Sequence, residues 1–502
     1  MKAKLTQLSS LFLALAMSHA VQAETFSFNN DVNEQSDALV VFKSSEDTTG
    51  FSAFDQKTQG QLSRAIKANQ FDASYNTFVE ILAPTNLNYD RVLIVGLGDK
   101  TLTKAQLTKL GGNIAGQLTS NNINEISVSA EHFNAEQASF IAHGINLRAY
   151  SYDKYKKEKR QEKSYTFDVT DSQATQSAYS ELEALQSGIF LARDLTNEIP
   201  TNLTPADFAK EAKKLKTLGV KVKVLEPKEL KKLGMNALEA VGRGSKDGSR
   251  LVVAHYQGSD DAPIAIAGKG ITFDSGGIQI KTSEHIVRMK SDMAGAAAAL
   301  GTVKALAQMK ANVNVVAVMG MAANMVSENS YIPGDVVTTA EGITVEITHT
   351  DAEGRLVLSD AMWYARKYYQ PSVLLDIATL TGGKYRALGN KYAGIFSESD
   401  QLVEAFKVAG DAVNEPVWHL PLGYKEMLAS PIADIRNTGK GGPSATTAAS
   451  FLQHFAGDTP WLHIDMAGNG LAASASGEHP VGGTGYGVSL MTEWILNHHT
   501  AK

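Results

Sequence analysis

Five short runs in the second half of the chain are apolar on nearly every residue rather than on alternate ones: 251–255, 264–267, 313–319, 373–377 and 461–464. A strand with one wet face alternates, whereas a strand covered on both faces does not, so these runs require a buried, mostly parallel sheet. Helical patterns at 293–309 and 356–368 separate them and supply the covering layers. The first half repeats the theme on a smaller scale. Residues 38–42 and 91–98 read as strands, and 104–118 carries helical spacing. The expected fold class is α/β: an N-terminal α/β domain, 24–185, and a larger C-terminal α/β domain, 186–502. The latter has a mixed, mostly parallel central sheet covered by helices. A mixed-sign charged stretch, 151–165, reads as a solvated connection between the two, and the boundary falls near 185, at or before the helix that contains 185–195. In such sheets ligands bind beyond the C-terminal ends of the strands, so the residues that follow each apolar run are where chemistry is expected.

The first 23 residues follow different rules. Lys2 and Lys4 precede the apolar run 11–17, and Val21-Gln22-Ala23 is a small-x-small site. This is the layout of a secretory signal peptide, and the run is short of the roughly 20 apolar residues that span a bilayer. The expected location is the periplasm or the medium, with the cytoplasm as the alternative if residues 1–23 are not a signal. No further stretch suggests a membrane helix. The chain has no cysteine, which excludes disulfides, thiolate metal sites and cysteine nucleophiles. Its net charge of −6 argues against a dedicated nucleic-acid partner, and losing Lys2 and Lys4 with the leader makes the remainder more acidic still.

Three polar clusters follow apolar runs or precede helices. Gly268-Lys269-Gly270-Ile271-Thr272-Phe273-Asp274-Ser275-Gly276-Gly277 continues the run that ends at Ala267, with Lys281 close behind. Met289-Lys290-Ser291-Asp292-Met293-Ala294-Gly295 opens an alanine-rich helix and would place Asp292 at its N-terminus. His349-Thr350-Asp351-Ala352-Glu353-Gly354-Arg355-Leu356 precedes another helix. Four carboxylates (Asp274, Asp292, Asp351 and Glu353) packed at one rim would repel one another and take up protons unless cations stood among them. Two divalent ions balance four carboxylates, and oxygen donors suit Mg, Mn or Zn. Lys269 could join the ligands only as a neutral amine, so it would need a strongly lowered pKa. A metal pair ionises water and polarises a carbonyl, and Lys281 and Arg355 could stabilise the resulting oxyanion. A phosphate-binding Gly-x-x-x-x-Gly-Lys-Ser/Thr loop, a His-Glu-x-x-His motif and a Gly-x-Ser-x-Gly elbow are all absent.

These segments resemble the leucyl aminopeptidase (cytosol aminopeptidase) family of two-metal exopeptidases. Thr350–Leu356, Gly268–Gly277 and Met289–Gly295 match its core motifs. Asn197-Glu198-Ile199-Pro200-Thr201-Asn202-Leu203-Thr204-Pro205, Ala378-Thr379-Leu380-Thr381-Gly382, Ala433-Asp434-Ile435-Arg436-Asn437 and His463-Ile464-Asp465-Met466-Ala467-Gly468 match others. The likeness is strong over about 190–490 and weak before that. It implies a metal-dependent aminopeptidase that removes leucine-like N-terminal residues from peptides. Lys269, Asp274, Asp292 and Glu353 would hold the more exchangeable ion, and Asp274, Asp351 and Glu353 the other, with manganese or zinc expected and magnesium a candidate for one site. Lys281 would polarise the scissile carbonyl, Arg355 would hold a bicarbonate ion, and Met289 and Thr379 would lie near the side-chain pocket. A homohexamer is implied as well. Two residues depart from the family pattern: His349 replaces an asparagine before the core motif, and Tyr486 stands where an arginine is frequent.

Overall fold

The computed structural model describes residues 24–45 and 50–499; the proposed leader lies outside them. The N-terminal sheet contains β1 (Thr25–Asn29), β2 (Ala38–Lys43), β3 (Phe78–Leu82), β4 (Arg91–Gly96), β5 (Glu125–Ser129) and β6 (Ser164–Asp168), in the order β1-β6-β5-β2-β4-β3. Every neighbouring pair is parallel except β3 with β4. Central β2 shows why its sequence does not alternate. Leu39 and Val41 pack into one buried cluster while Val40 and Phe42 pack into another on the opposite face. Helices Lys104–Gln117 and Ala135–Ala149 cover the second face, each opened by a reciprocal cap, Thr103 with Gln106 and Asn134 with Gln137.

The larger domain supplies β7 (Lys221–Leu225), β8 (Arg250–Gln257), β9 (Ile264–Asp274), β10 (Asn314–Asn324), β11 (Val336–Thr338), β12 (Thr344–Glu346), β13 (Val373–Ala378), β14 (Ala393–Phe396), β15 (Val417–His419), β16 (Ile435–Arg436) and β17 (Trp461–Asp465). Eight of these form the main sheet, in the order β15-β14-β17-β13-β9-β10-β8-β7. Its centre, β17-β13-β9-β10, is parallel; on one flank β8 runs antiparallel to β10, and β7 antiparallel to β8. Strands β11, β12 and β16 make a small separate sheet that their short sequences do not advertise. Val315, Ala317 and Met319 of β10 pack toward the alanine-rich helix Ala294–Gln308; Val316 and Val318 pack toward the helix Gly354–Tyr369. All five apolar runs are strands, but β9 and β10 are longer than their apolar stretches. Strand β9 continues through Gly268-Lys269-Gly270 because β10 pairs with it as far as Asp274, whereas β13 pairs with it only to Gly268, and this pairing overrides the poor strand preference of glycine. Lys269 therefore lies within a strand, and Asp274 ends it.

The expected boundary near 185 falls inside one helix, Ser172–Asn197. This helix packs on Ala135–Ala149 of the N-terminal domain and on the alanine-rich helix of the larger one. Gly188 and Gly301 meet at the second contact, where a Cβ on Gly188 would lie 2.3 Å from the Gly301 carbonyl oxygen, so the two backbones touch. The charged connection is not wholly solvated. Lys156 and Lys157 are exposed, but Arg160 pairs with the buried Glu24 and Lys154 with Glu198. Among the described residues no helix is long and apolar enough to cross a membrane.

Tyr486 has a packing role within the chain. Its buried hydroxyl donates to the carbonyls of Glu415 (3.3 Å) and Pro416 (3.2 Å). The Glu415 carboxylate in turn accepts the N–H groups of Gly487 (3.0 Å) and Leu490 (2.8 Å) at the start of the helix Val488–His499. Burial pushes the Glu415 carboxyl up to about 8. Because its folded pKa lies above the ordinary carboxylate value, its contribution is complete at low pH and is lost as pH rises toward 8. Glu415→Gln keeps an acceptor for both N–H groups and cannot ionise. The melting temperature of this variant, relative to the parent, should therefore climb between pH 5 and pH 8; a difference that does not change with pH refutes the assignment.

Candidate metal centre

The three polar clusters meet at the C-terminal edge of the parallel strands. Asp274 arrives on the last residue of β9, Asp292 just before the alanine-rich helix, and Asp351 and Glu353 in the turn that opens the helix Gly354–Tyr369. Oxygens of Asp274, Asp351 and Glu353 all lie within 4.8 Å of one another. Two lysines thread between the carboxylates. Lys269 Nζ is 2.8 Å from Asp292 Oδ2 and 2.9 Å from Glu353 Oε1; Lys281 Nζ is 2.8 Å from Asp274 Oδ2 and 2.5 Å from Asp351 Oδ1. The six side chains thus form two ion-paired trios, Lys269 with Asp292 and Glu353 and Lys281 with Asp274 and Asp351, set side by side by the closeness of Glu353 to Asp274 and Asp351. Arg355 stands beside it, with Nη1 donating to the Asn437 carbonyl (2.7 Å) and Nε buried without a partner.

Asp292 is not a helix cap. The helix begins at Ala294, and Asp292 Oδ1 instead accepts the Thr379 hydroxyl at 2.7 Å. The Thr379 carbonyl also accepts Lys269 Nζ at 2.9 Å, so one residue after β13 holds two members of the cluster. Gly354 is required for the same crowding: a Cβ there would lie 2.5 Å from Lys269 Cε. Behind the acids, Asn324 at the end of β10 donates to Asp274 Oδ1 (2.8 Å) and to the Thr350 carbonyl (3.0 Å), and the Tyr331 hydroxyl donates to that carbonyl at 2.6 Å. Asn437 accepts from the N–H groups of Thr348 and His349 and donates to the His349 carbonyl. Asn324 is not among the residues expected from sequence, although it is the polar residue that ends the apolar stretch 315–323; nothing in the sequence marks Tyr331. His349 Nδ1 accepts the Asp351 N–H at 3.2 Å, so this nitrogen carries no proton and buttresses the turn.

Burial raises the pKa of Asp292, as do Asp274 and Glu353, which together lift it to about 8 against the pull of Lys269. Burial, Asp274 and Glu353 likewise lift Asp351 to about 7. Burial alone would lower Lys269, but Asp292, Glu353 and Asp274 outweigh it and raise its pKa above the ordinary lysine range. The lowered lysine pKa expected from sequence is therefore not a property of the protein frame. It requires further positive charge among the acids. At 4.8 Å and an effective dielectric of about 20, each pair of carboxylates repels by about 3 kcal/mol. Glu353 Oε2 is buried with no hydrogen-bond partner. An all-oxygen donor set, an unsatisfied carboxylate oxygen and an excess of acids over lysines together fit divalent cations.

Sequence models for the two domains of the cytosol aminopeptidase family match the chain, the N-terminal domain at 38–159 and the catalytic domain at 190–492. The chain belongs to the cytosol aminopeptidase family. It is accordingly a hydrolase, a metal-dependent aminopeptidase. The N-terminal match extends the likeness into the half of the chain where sequence motifs were weak. A probable cytosol aminopeptidase 1 of Shewanella oneidensis is 51% identical over 491 residues, covering 96% of this chain and 98% of the relative. A probable cytosol aminopeptidase of Chelativorans is 42% identical over 455 residues, covering 88% and 92%. Among solved structures, a tomato leucine aminopeptidase variant superposes with a TM-score of 0.85 at 30% identity, covering 95% of this chain and 97% of that one. The bottromycin maturation enzyme BotP in complex with Mn gives 0.81 at 30% identity, covering 92% and 99%.

Asp351→Ala removes one of the oxygens that could hold a metal ion, whereas Lys281→Ala removes a cation from among them. After dialysis against trace metal, Asp351→Ala should retain less metal than the parent, and Lys281→Ala as much or more. Atomic absorption on folded protein decides it, and equal retention by Asp351→Ala overturns the donor assignment.

Proposed function

We propose that this aminopeptidase removes leucine-like N-terminal residues from peptides at a two-metal centre held by Lys269, Asp274, Asp292, Asp351 and Glu353. Asp274, Asp351 and Glu353 would hold one ion, and Lys269, Asp292, Asp274 and Glu353 the other, with manganese or zinc as the ions and magnesium a candidate at one position. Bound there, the ions supply Lewis acidity that lowers the pKa of water and polarises a carbonyl. The observation that carries the reading is the meeting of four carboxylates and two lysines at the strand ends, as two ion-paired trios whose Asp274, Asp351 and Glu353 oxygens lie within 4.8 Å of one another.

The side chains do the remaining work. Lys281 is the more open of the two lysines and remains an ammonium, placed to face the carbonyl oxygen as negative charge grows on it. Lys269 is closed in by Gly354 and Thr379 and is fixed among the acids. Arg355, with its unpartnered Nε, suits a small oxyanion such as bicarbonate. By the family resemblance the substrate's free, neutral α-amine would bind at one of the ions, which restricts cleavage to the first residue. Water adds to the scissile carbonyl carbon, the C–N bond breaks, and the departing nitrogen takes up a proton to leave as the shortened peptide. Assembly into a homohexamer accompanies this reading by family resemblance.

The expected result is hydrolysis of leucine anilide with added Mn and none of N-acetyl-leucine anilide. Cleavage of the acetylated compound, or of neither, counts against the proposal.

Residues 1–23 are proposed as a secretory signal peptide cleaved after Ala23, which would put the enzyme in the periplasm or the medium, although its relatives are named cytosol aminopeptidases. In support, Glu24 is a buried anchor. Its carboxylate takes the Arg160 guanidinium and the Lys163 N–H (2.8 Å), and its own N–H donates to Asn146 Oδ1 at 3.2 Å. Protein recovered from an osmotic-shock fraction should have an intact mass that starts at Glu24; full-length protein confined to the cytosol refutes export.

A further inference from the structure

Lys384 is a lysine with no exposed surface, and the mechanism above does not use it. It lies in the helix Gly382–Leu388 that follows β13. Its Nζ donates to three uncharged oxygens: the carbonyls of Gly389 (3.0 Å) and Ala467 (2.9 Å) and Oδ1 of Asn469. Asn469 is held in turn, through its amide to the Asn390 carbonyl (2.9 Å) and through its own carbonyl to the Thr484 hydroxyl (2.7 Å). A buried ammonium with no carboxylate in contact is costly, and an apolar side chain of the same length would avoid that cost.

The arrangement ties together the segments that follow the two strands next to β9 on that side. Asp465, the last residue of β17, accepts the N–H groups of Leu380 (3.1 Å) and Ala467 (3.1 Å) and the Thr381 hydroxyl (2.6 Å). The Thr381 hydroxyl also accepts the Lys384 N–H at 3.0 Å. Lys384 and Asp465 therefore clamp residues 380–384 and 465–469 from opposite ends. Thr379, one residue before the clamp, supplies the carbonyl for Lys269 and the hydroxyl for Asp292.

We propose that Lys384 is a positioning residue, an internal cation caged by three carbonyl oxygens, that fixes the loop carrying Thr379 and thereby the Lys269–Asp292 half of the metal centre. Burial brings its pKa down to about 8 against the opposing pull of Asp465, as a cation supported mainly by neutral dipoles requires.

The inference rests on the metal reading, and the experiment separates the two. Full-length Lys384→Met and Lys384→Ala are compared with the parent by manganese stoichiometry after dialysis, by kcat and KM on leucine anilide, and by hydrogen exchange of the metal-free proteins. The expected result is loss of close to one of two ions in each variant and a drop in kcat/KM of at least tenfold. Exchange should be faster at residues 379–384 and 466–470, with no change near Asp351. Adding n-propylammonium should restore the ion and the rate to Lys384→Ala, where it refills the cage, and do nothing for the parent or for Lys384→Met. Parental stoichiometry, exchange and kcat/KM in Lys384→Met overturn the inference. Equal loss of both ions, or absence of amine rescue, assigns Lys384 to general packing and overturns it too. If the parent itself binds no manganese, the metal reading fails first.

Discussion

Like charges held together at one rim, most of them buried, are the constraint on which the rest of this protein depends. Asp274, Asp292, Asp351 and Glu353 come from three separate segments; Asp351 is half-buried and the other three are buried, so they carry a desolvation cost that nearby positive charge and hydrogen-bond donors must offset. The parallel centre of the large sheet is what makes the convergence possible. It aligns the ends of β9, β10, β13 and β17, so a residue just past each strand reaches the same space. The two helices that cover the sheet then begin at the acids themselves, one after Asp292 and the other at Glu353. Sheet, helix starts and charge cluster are one construction rather than a scaffold with a site added to it.

Much of this was legible beforehand, for identifiable reasons. Strands buried on both faces leave an unbroken apolar signature, so β2, β4, β8, β10, β13 and β17 could be read directly. The acids could be read because they lie in glycine-rich segments immediately beyond such runs. The full length of strand β9 is not legible because glycine and lysine look unlike a strand; pairing with β10 as far as Asp274, which is a tertiary fact, decides otherwise. The short strands β11, β12 and β16 carry too little periodicity to be seen. Tyr331 and Lys384 were missed because each looks ordinary alone, and their importance comes from partners far away in sequence, Thr350 for the one and Ala467 and Asn469 for the other.

The two departures from the family pattern resolve into local chemistry. His349 accepts a backbone N–H through Nδ1, which a side-chain amide oxygen could do equally well, so the substitution keeps the turn beneath Asp351 in shape. Tyr486 replaces a charge by a long, buried phenol, and its hydroxyl finds two carbonyls at the turn between Glu415 and Pro416. Neither residue adds a charged group to the rim.

The helix Ser172–Asn197 deserves a mechanical reading. It packs on the N-terminal domain along part of its length and meets the alanine-rich helix at Gly188 and Gly301, backbone against backbone, with no side chain between to act as a cushion. The alanine-rich helix starts two residues after Asp292. The smaller domain is thereby braced, through one continuous helix, against the helix that rises from the root of the acidic rim. A bulkier residue at either glycine would act as a wedge between the two helices, because a Cβ on Gly188 would lie 2.3 Å from the Gly301 carbonyl oxygen and one on Gly301 2.6 Å from that of Gly188.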